Sequence, residues 1–136
     1  MEETFAVNVF GTAAMKKAFR PIMRNGGAIL NISSRMGSME LLGKLPIAMA
    51  QAYSSSKSAV NSIGKSLAVE LKDKGVTVML LHPGFVQTNL LPTAKMPPET
   101  VMPEEAARKL WENIVSKKTI DDTGKFWHRE GFELPW

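Results

Sequence analysis

The sequence predicts an α/β fold, a parallel sheet of about three strands with flanking helices. Short, nearly continuous apolar runs alternate with longer segments whose apolar residues recur at helical spacing. The runs follow glycines and stop at serine or at His-Pro-Gly, as strands covered on both faces do. A strand, a helix and a second strand in that order form a βαβ unit, whose crossover is right-handed. Strands are expected near 28–33, 76–81 and 125–127, helices near 3–23, 52–74 and 103–116, with helices over both faces.

In the first helix Phe5, Val9, Thr12, Ala13, Phe19 and Met23 fall near one face, and Gly26-Gly27 stops it. Pro21 kinks its last turn or marks an earlier end. Asn8 and Gly11 are poor helix formers in its interior, a cost that invites a functional reading. On sequence alone, an exposed Asn and a Gly admitting a close helix neighbour is the favoured explanation.

The strand Ala28 to Ser34 follows, covered on both faces, and then an aperiodic segment from Arg35 to Gln51 with Gly37, Gly43 and Pro46, a loop with room for a short helical turn. Open α/β sheets bind ligands in loops at the carboxyl ends of their strands, which is where Ser33 and Ser34 stand. Both also serve as turn formers.

From Ala52 the helical period returns, with Val60, Ile63, Leu67 and Leu71 as its apolar stripe and Gly75 as the residue past its end. Ser54, Ser55, Ser58, Ala59 and Ser62 would let another backbone come close. Tyr53, the only tyrosine, and Lys57 share one face of this helix. A cation beside a phenol favours the phenolate and brings an ordinary pKa of about 10 toward the working range, so the two outline an acid/base pair. Amphipathic neighbours have the same spacing.

The second strand, Val76 to Leu81, stops at His82-Pro83-Gly84, with His82 a strand-end residue lacking a catalytic partner. Pro92, Pro97 and Pro98 make 91–102 irregular and mobile. Pro103, Glu104 and Glu105 suit a helix start, followed by a core stripe of Ala107, Leu110, Trp111 and Ile114. Lys125-Phe126-Trp127 reads as the last strand, Glu130-Gly131 as a turn, and Trp111 and Trp127 as core residues.

The 136 residues suit one domain or part of one. Without cysteine there is no disulfide framework, thiolate metal site or redox motif, and a reducing, cytoplasmic setting is the expectation. The net charge of +4 is scattered, with no basic run longer than Lys16-Lys17 or Lys117-Lys118, which argues against nucleic-acid binding. No apolar stretch is long enough for a membrane span, and no residue pattern marks a metal site.

Four motifs in order, Asn8-Val9-Phe10-Gly11, Asn31-Ile32-Ser33-Ser34, Tyr53-Ser54-Ser55-Ser56-Lys57 and His82-Pro83-Gly84-Phe85-Val86-Gln87-Thr88, make the chain resemble the short-chain dehydrogenase/reductase family over essentially its whole length. The ending Gly124-Lys125-Phe126-Trp127 with Leu134-Pro135-Trp136 is most similar to the branch of C-factor-like and insect-type carbonyl reductases. The resemblance implies the carboxyl-terminal half of a Rossmann-type doubly wound parallel sheet and a carbonyl or alcohol substrate, with NAD or NADP as cofactor. It makes Tyr53 the general acid or base, Lys57 the residue that lowers its pKa and bonds the nicotinamide ribose, and Ser34, or Ser33 in the other register, the partner of the substrate oxygen. Asn8 would hold a water linking Lys57 to solvent. Pro83, Gly84, Val86 and Thr88 would form the turn over the cofactor, with the Val86 backbone near the carboxamide and the Thr88 hydroxyl near the carboxamide or the pyrophosphate.

No Gly-x-Gly-x-x-Gly turn or spaced variant follows a strand in this sequence. Residues 1–136 are therefore expected to be a single partial domain without the amino-terminal dinucleotide-binding half, and not to work as a dehydrogenase alone. The two long helices would make a homo-oligomer interface. A second reading takes the chain as a non-catalytic dimerisation module derived from such an enzyme.

Overall fold

Three parallel strands, β1 (Ala28–Ile32), β2 (Thr77–His82) and β3 (Phe126–His128), lie in the order β1-β2-β3 in the computed structural model, which describes residues 1–44, 50–90 and 96–136. Ile32 pairs with Leu81 and Leu80 with Phe126, so the three carboxyl ends lie side by side. Pro46, Pro92 and residues 91–95 of the segment read as mobile lie outside the described residues.

The first helical run comprises α1 (Glu2–Phe5), a π-helical stretch (Ala6–Gly11), α2 (Thr12–Phe19) and a 3₁₀ turn (Arg20–Ile22) that takes in Pro21 near its start. A short helix α3 (Met39–Leu42) breaks the loop after β1. The helix α4 (Gln51–Leu71) is followed by a 3₁₀ turn (Lys72–Lys74) and ends at Gly75, whose φ of +68° is the left-handed conformation expected past a helix end. The last helix, α5 (Pro103–Leu110), runs on into a π-helical stretch (Trp111–Val115).

Alternate residues of β2 feed two core clusters. Val78 packs with Leu67, Ala68 and Leu71 of α4, while Met79 and Leu81 pack on the other face with Ile114 and Trp127, flanked by Leu110. Helices thus cover both faces of β2. At Gly64 a β-carbon would lie 3.0 Å from Leu80 Cδ2, so this glycine lets α4 settle onto the sheet. The tail folds back: Leu134 N–H donates to Phe126 O at 2.7 Å, Trp136 stacks on Phe126 at 5.8 Å, and Glu40 N–H at the start of α3 donates to Trp136 O at 2.9 Å.

Three expectations need correction. β1 is not covered on both faces, because α5 lies over β2 and β3; Leu30 is 44% and Ile32 52% exposed, and the free edge of β1 has no strand partner among the described residues. In α2 the place expected for Phe19, which is half exposed, is taken by Lys16 at 8%. The buried stripe of the last helix is Ala106, Leu110 and Ile114, spaced by four; Ala107 and Trp111 are turned outward, and Trp127 alone of that pair of tryptophans is core. A groove of about 530 Å³ beside β1 is lined by Val7, Met15, Lys16, Phe19, Met23 and Leu30, and does not include Ser33, Ser34, Tyr53 or Lys57.

Candidate active site

The ladder between β1 and β2 extends one residue further, with Ser33 N–H donating to Leu81 O at 2.7 Å, and alternation then turns the two serines apart. Ser33 is buried and its hydroxyl donates to Asn61 Oδ1 at 2.5 Å, so it is spent on holding α4. Ser34 caps the 3₁₀ turn Arg35–Gly37, its oxygen accepting from Met36 N–H at 3.2 Å, and its side chain is the polar neighbour of the Tyr53 phenol. Of the two serines, Ser34 is the one whose side chain faces the phenol.

What presses this loop on α4 is Gly37. A β-carbon there would lie 2.8 Å from the Lys57 carbonyl carbon and oxygen, and Gly37 O accepts from Ser58 Oγ at 3.1 Å and Asn61 Nδ2 at 3.2 Å. The small residues of the first turns of α4 do admit a close backbone, and it is the backbone carrying Ser34.

Tyr53 is half-buried in the first turn of α4. Burial pushes its phenol above the ordinary 10.0, and the hydrogen bond with Ser34 pulls against that rise. Lys57 Nζ stands 5.6 Å from the Tyr53 ring centroid and donates to Ile32 O at 3.0 Å, the last carbonyl of β1. Burial lowers its own pKa. Lys57 was expected to lower the phenol's pKa; here its ammonium is committed to a backbone carbonyl and faces the ring, and the phenol remains raised.

Asn8 lies in the π-helical stretch, a geometry that recurs at functional sites because it turns side chains off the regular helical stripe. Its Nδ2 donates to Ser56 Oγ at 3.0 Å, and Ser56 Oγ donates to Tyr53 O at 2.7 Å. Asn8 thus backs the turn that carries Tyr53 and Lys57. Pro83, Gly84, Val86 and Thr88 follow β2, at the strand end next to Ser34; Val86 bridges to Val101, and Thr88 Oγ1 accepts from Leu90 N–H at 3.3 Å. His82 is buried, packs edge-on against His128 at 5.2 Å, and is held neutral with a pKa of about 3 by burial and by the nearby His128, Arg35 and Arg129.

Two arginines at this end of the sheet had no part in the sequence reading. Arg35 stacks on Phe85 at 4.9 Å, and Arg129 is buried against the turn after β2. The available signal for Arg129 was a cation directly after an apolar strand.

This arrangement sits in a chain whose residues 1–97 match the family model of the short chain dehydrogenases. The chain belongs to the short chain dehydrogenase family. Within that family it is 36% identical, over 96% of its length, to 1-hydroxy-2-glutathionyl-2-methyl-3-butene dehydrogenase of Rhodococcus sp. (strain AD45), of which it covers 56%. It is 30% identical to the C-signal protein of Myxococcus xanthus, over the whole chain and 78% of the relative. Among solved structures, the NADPH-bound carbonyl reductase from chicken fatty liver superposes with a TM-score of 0.89 and 26% identity over the whole chain, which spans 57% of that protein. The chain thus spans about half the length of two of these three relatives. Among its described residues no group of three or more His, Asp or Glu side chains is placed to hold a metal ion, and no helix is long and apolar enough to cross a membrane.

Proposed function

We propose that this chain carries the proton-transfer side of an NAD(P)-dependent oxidoreductase that reduces a carbonyl or oxidises an alcohol. The observation that carries the reading is the pairing of Ser34 with Tyr53 at the carboxyl end of β1, one helical turn from Lys57 and beside the turn after β2. Ser34 holds the substrate oxygen and Tyr53 gives it a proton in reduction or takes one in oxidation. A phenol raised by burial stays protonated at neutral pH, which suits the reducing direction.

The residues fit the nicotinamide end of the cofactor. Lys57, once released from Ile32 O, has a donor for the ribose, and the Val86 backbone and Thr88 hydroxyl lie at the neighbouring strand end. When bound, the cofactor supplies or accepts the hydride, and the protein contributes position and the proton. Asn8 supports the turn through Ser56, and its part in the proposal is to hold a water linking Lys57 to solvent. The chicken carbonyl reductase is NADPH-bound and the Rhodococcus relative is named for an alcohol, so both cofactor choice and direction remain within the proposal. A cysteine-free sequence suits a cytoplasmic setting.

The pyrophosphate end is different, because no glycine-rich turn follows a strand in these 136 residues. The exposed Val7, Phe10 and Met15 of the first helical run and Val69 of α4 also favour contact with a second copy. Titration of the 136-residue chain with NADH and NADPH, followed by sedimentation, is expected to show weak cofactor binding and self-association. Micromolar affinity in a stable monomer would contradict both. Carbonyl-dependent NADPH oxidation that is lost on Tyr53→Phe is the test of the function itself.

A further inference from the structure

After β2 the chain turns at Pro83, Val101 bridges to Val86 beside that turn, and one side chain bonds both the turn and the stretch before Val101. Arg129 is 4% exposed. Its Nη1 donates to Pro83 O at 2.8 Å and Phe85 O at 2.9 Å, and its Nη2 donates to Glu99 O at 2.6 Å. Its Nε donates to Glu130 Oε1 at 3.3 Å, an oxygen shared with Lys109 Nζ at 2.7 Å. The backbone beneath is fixed too, since Arg129 N–H donates to His82 O at 3.0 Å and Arg129 O accepts from Asn113 Nδ2 at 2.9 Å.

The loop ends also bond one another: Val101 N–H donates to Phe85 O at 3.1 Å and Gln87 N–H to Val101 O at 2.9 Å. Gly84 has φ +73°, and a β-carbon there would lie 2.6 Å from Arg129 Nη1, so the guanidinium fills the space a side chain would need. A guanidinium presents five donors in a rigid plane, and a buried one is costly unless its donors are met. Drift of the loop from its acceptors would incur that cost. An ammonium, a compact charge on a flexible stem, has no such planar fork.

We propose that Arg129 is the positioning residue that fixes the turn 83–88 against 99–101 in the conformation presenting Val86 and Thr88 to the nicotinamide; the ligand part rests on the function proposed above. Hydrogen exchange of the 136-residue chain tests the clamp. In Arg129→Ala the Gln87 and Val101 amides should exchange roughly ten- to hundredfold faster, as loss of a charge-assisted hydrogen bond implies, while protection across Val78–Leu81 is unchanged. Millimolar guanidinium should restore slow exchange in that variant, which lost packing alone would not allow. Arg129→Lys should lie between the two. Gly84→Ala, which keeps the arginine but displaces its head group, should reproduce the loss without rescue, and with Arg129→Lys it carries the comparison if Arg129→Ala does not fold. Unchanged exchange at Gln87 and Val101, or a rise spread over β2 as well, overturns the clamp. Reduced nicotinamide mononucleotide should then shift the Val86 and Thr88 amide resonances of the wild type and not those of Arg129→Ala. Equal shifts in both overturn the positioning role. No shifts in the wild type count against the cofactor reading, and the exchange comparison then decides the clamp alone.

Discussion

Replacing Tyr53 by phenylalanine is expected to slow carbonyl reduction by roughly 10²- to 10⁴-fold, the range that a positioned acid or base supplies. The substitution removes one oxygen and leaves the ring between Ser34 and Lys57, so cofactor affinity should hardly change. Lys57 reaches Ile32 O without help from the phenol, and Ser34 keeps its bond from Met36 N–H, so neither is released by the change. Steady-state rates at saturating NADPH measure the effect, in a chain joined to a glycine-rich β-turn-α half that supplies the pyrophosphate site. A variant with normal turnover would refute Tyr53 as the proton donor; one with equal kcat and a raised KM would make it a binding residue.

Lys16→Met should have the largest effect on stability. Lys16 Nζ is buried without a hydrogen-bond partner, and on the same groove Glu70 is paired with Arg20. Burial lowers its pKa from 10.5 to about 8. Below about pH 8 the folded and unfolded chains both carry the proton, and the native state bears the whole penalty of a buried charge. Between about 8 and 10.5 the unfolded chain holds a proton the folded chain has released, so stability rises with pH across that window. The shift corresponds to about 3 kcal/mol. Methionine keeps the stem's shape without the charge, so urea unfolding at pH 7 should show the variant more stable by about that amount, with the gain shrinking toward pH 10. A pH-independent difference would mean that Lys16 is already paired.

The sequence determined the three strands and the order of the motifs because apolar runs and glycine punctuation are local signals. What it could not show was which apolar residues find a cover. Leu30 and Ile32 read as buried, yet coverage depends on where α5 lies, and α5 lies over β2 and β3. Trp111 reads as core through a stripe with Ala107, Leu110 and Ile114, whereas the helix turns Ala106, Leu110 and Ile114 inward. At the site, the pattern located Ser34, Tyr53, Lys57 and Asn8, but not the direction in which the Tyr53 pKa moves, because burial is a tertiary property. Arg129 escaped notice for a similar reason. Its acceptors are backbone carbonyls 30 to 46 residues away, and any residue type supplies a carbonyl.

Tyr53 is the only tyrosine, so the rise in absorbance on phenolate formation reports its ionisation without interference. Spectrophotometric titration of the wild type, Ser34→Ala and Ser33→Ala therefore tests the proposed site most directly. The wild-type phenol should titrate above its ordinary 10.0, Ser34→Ala should raise it further by removing the hydrogen bond that opposes burial, and Ser33→Ala should leave it unmoved because that hydroxyl belongs to Asn61. A phenol that titrates at or below 10.0 and ignores Ser34→Ala would separate the two residues and return Tyr53 and Lys57 to ordinary neighbours on a helix.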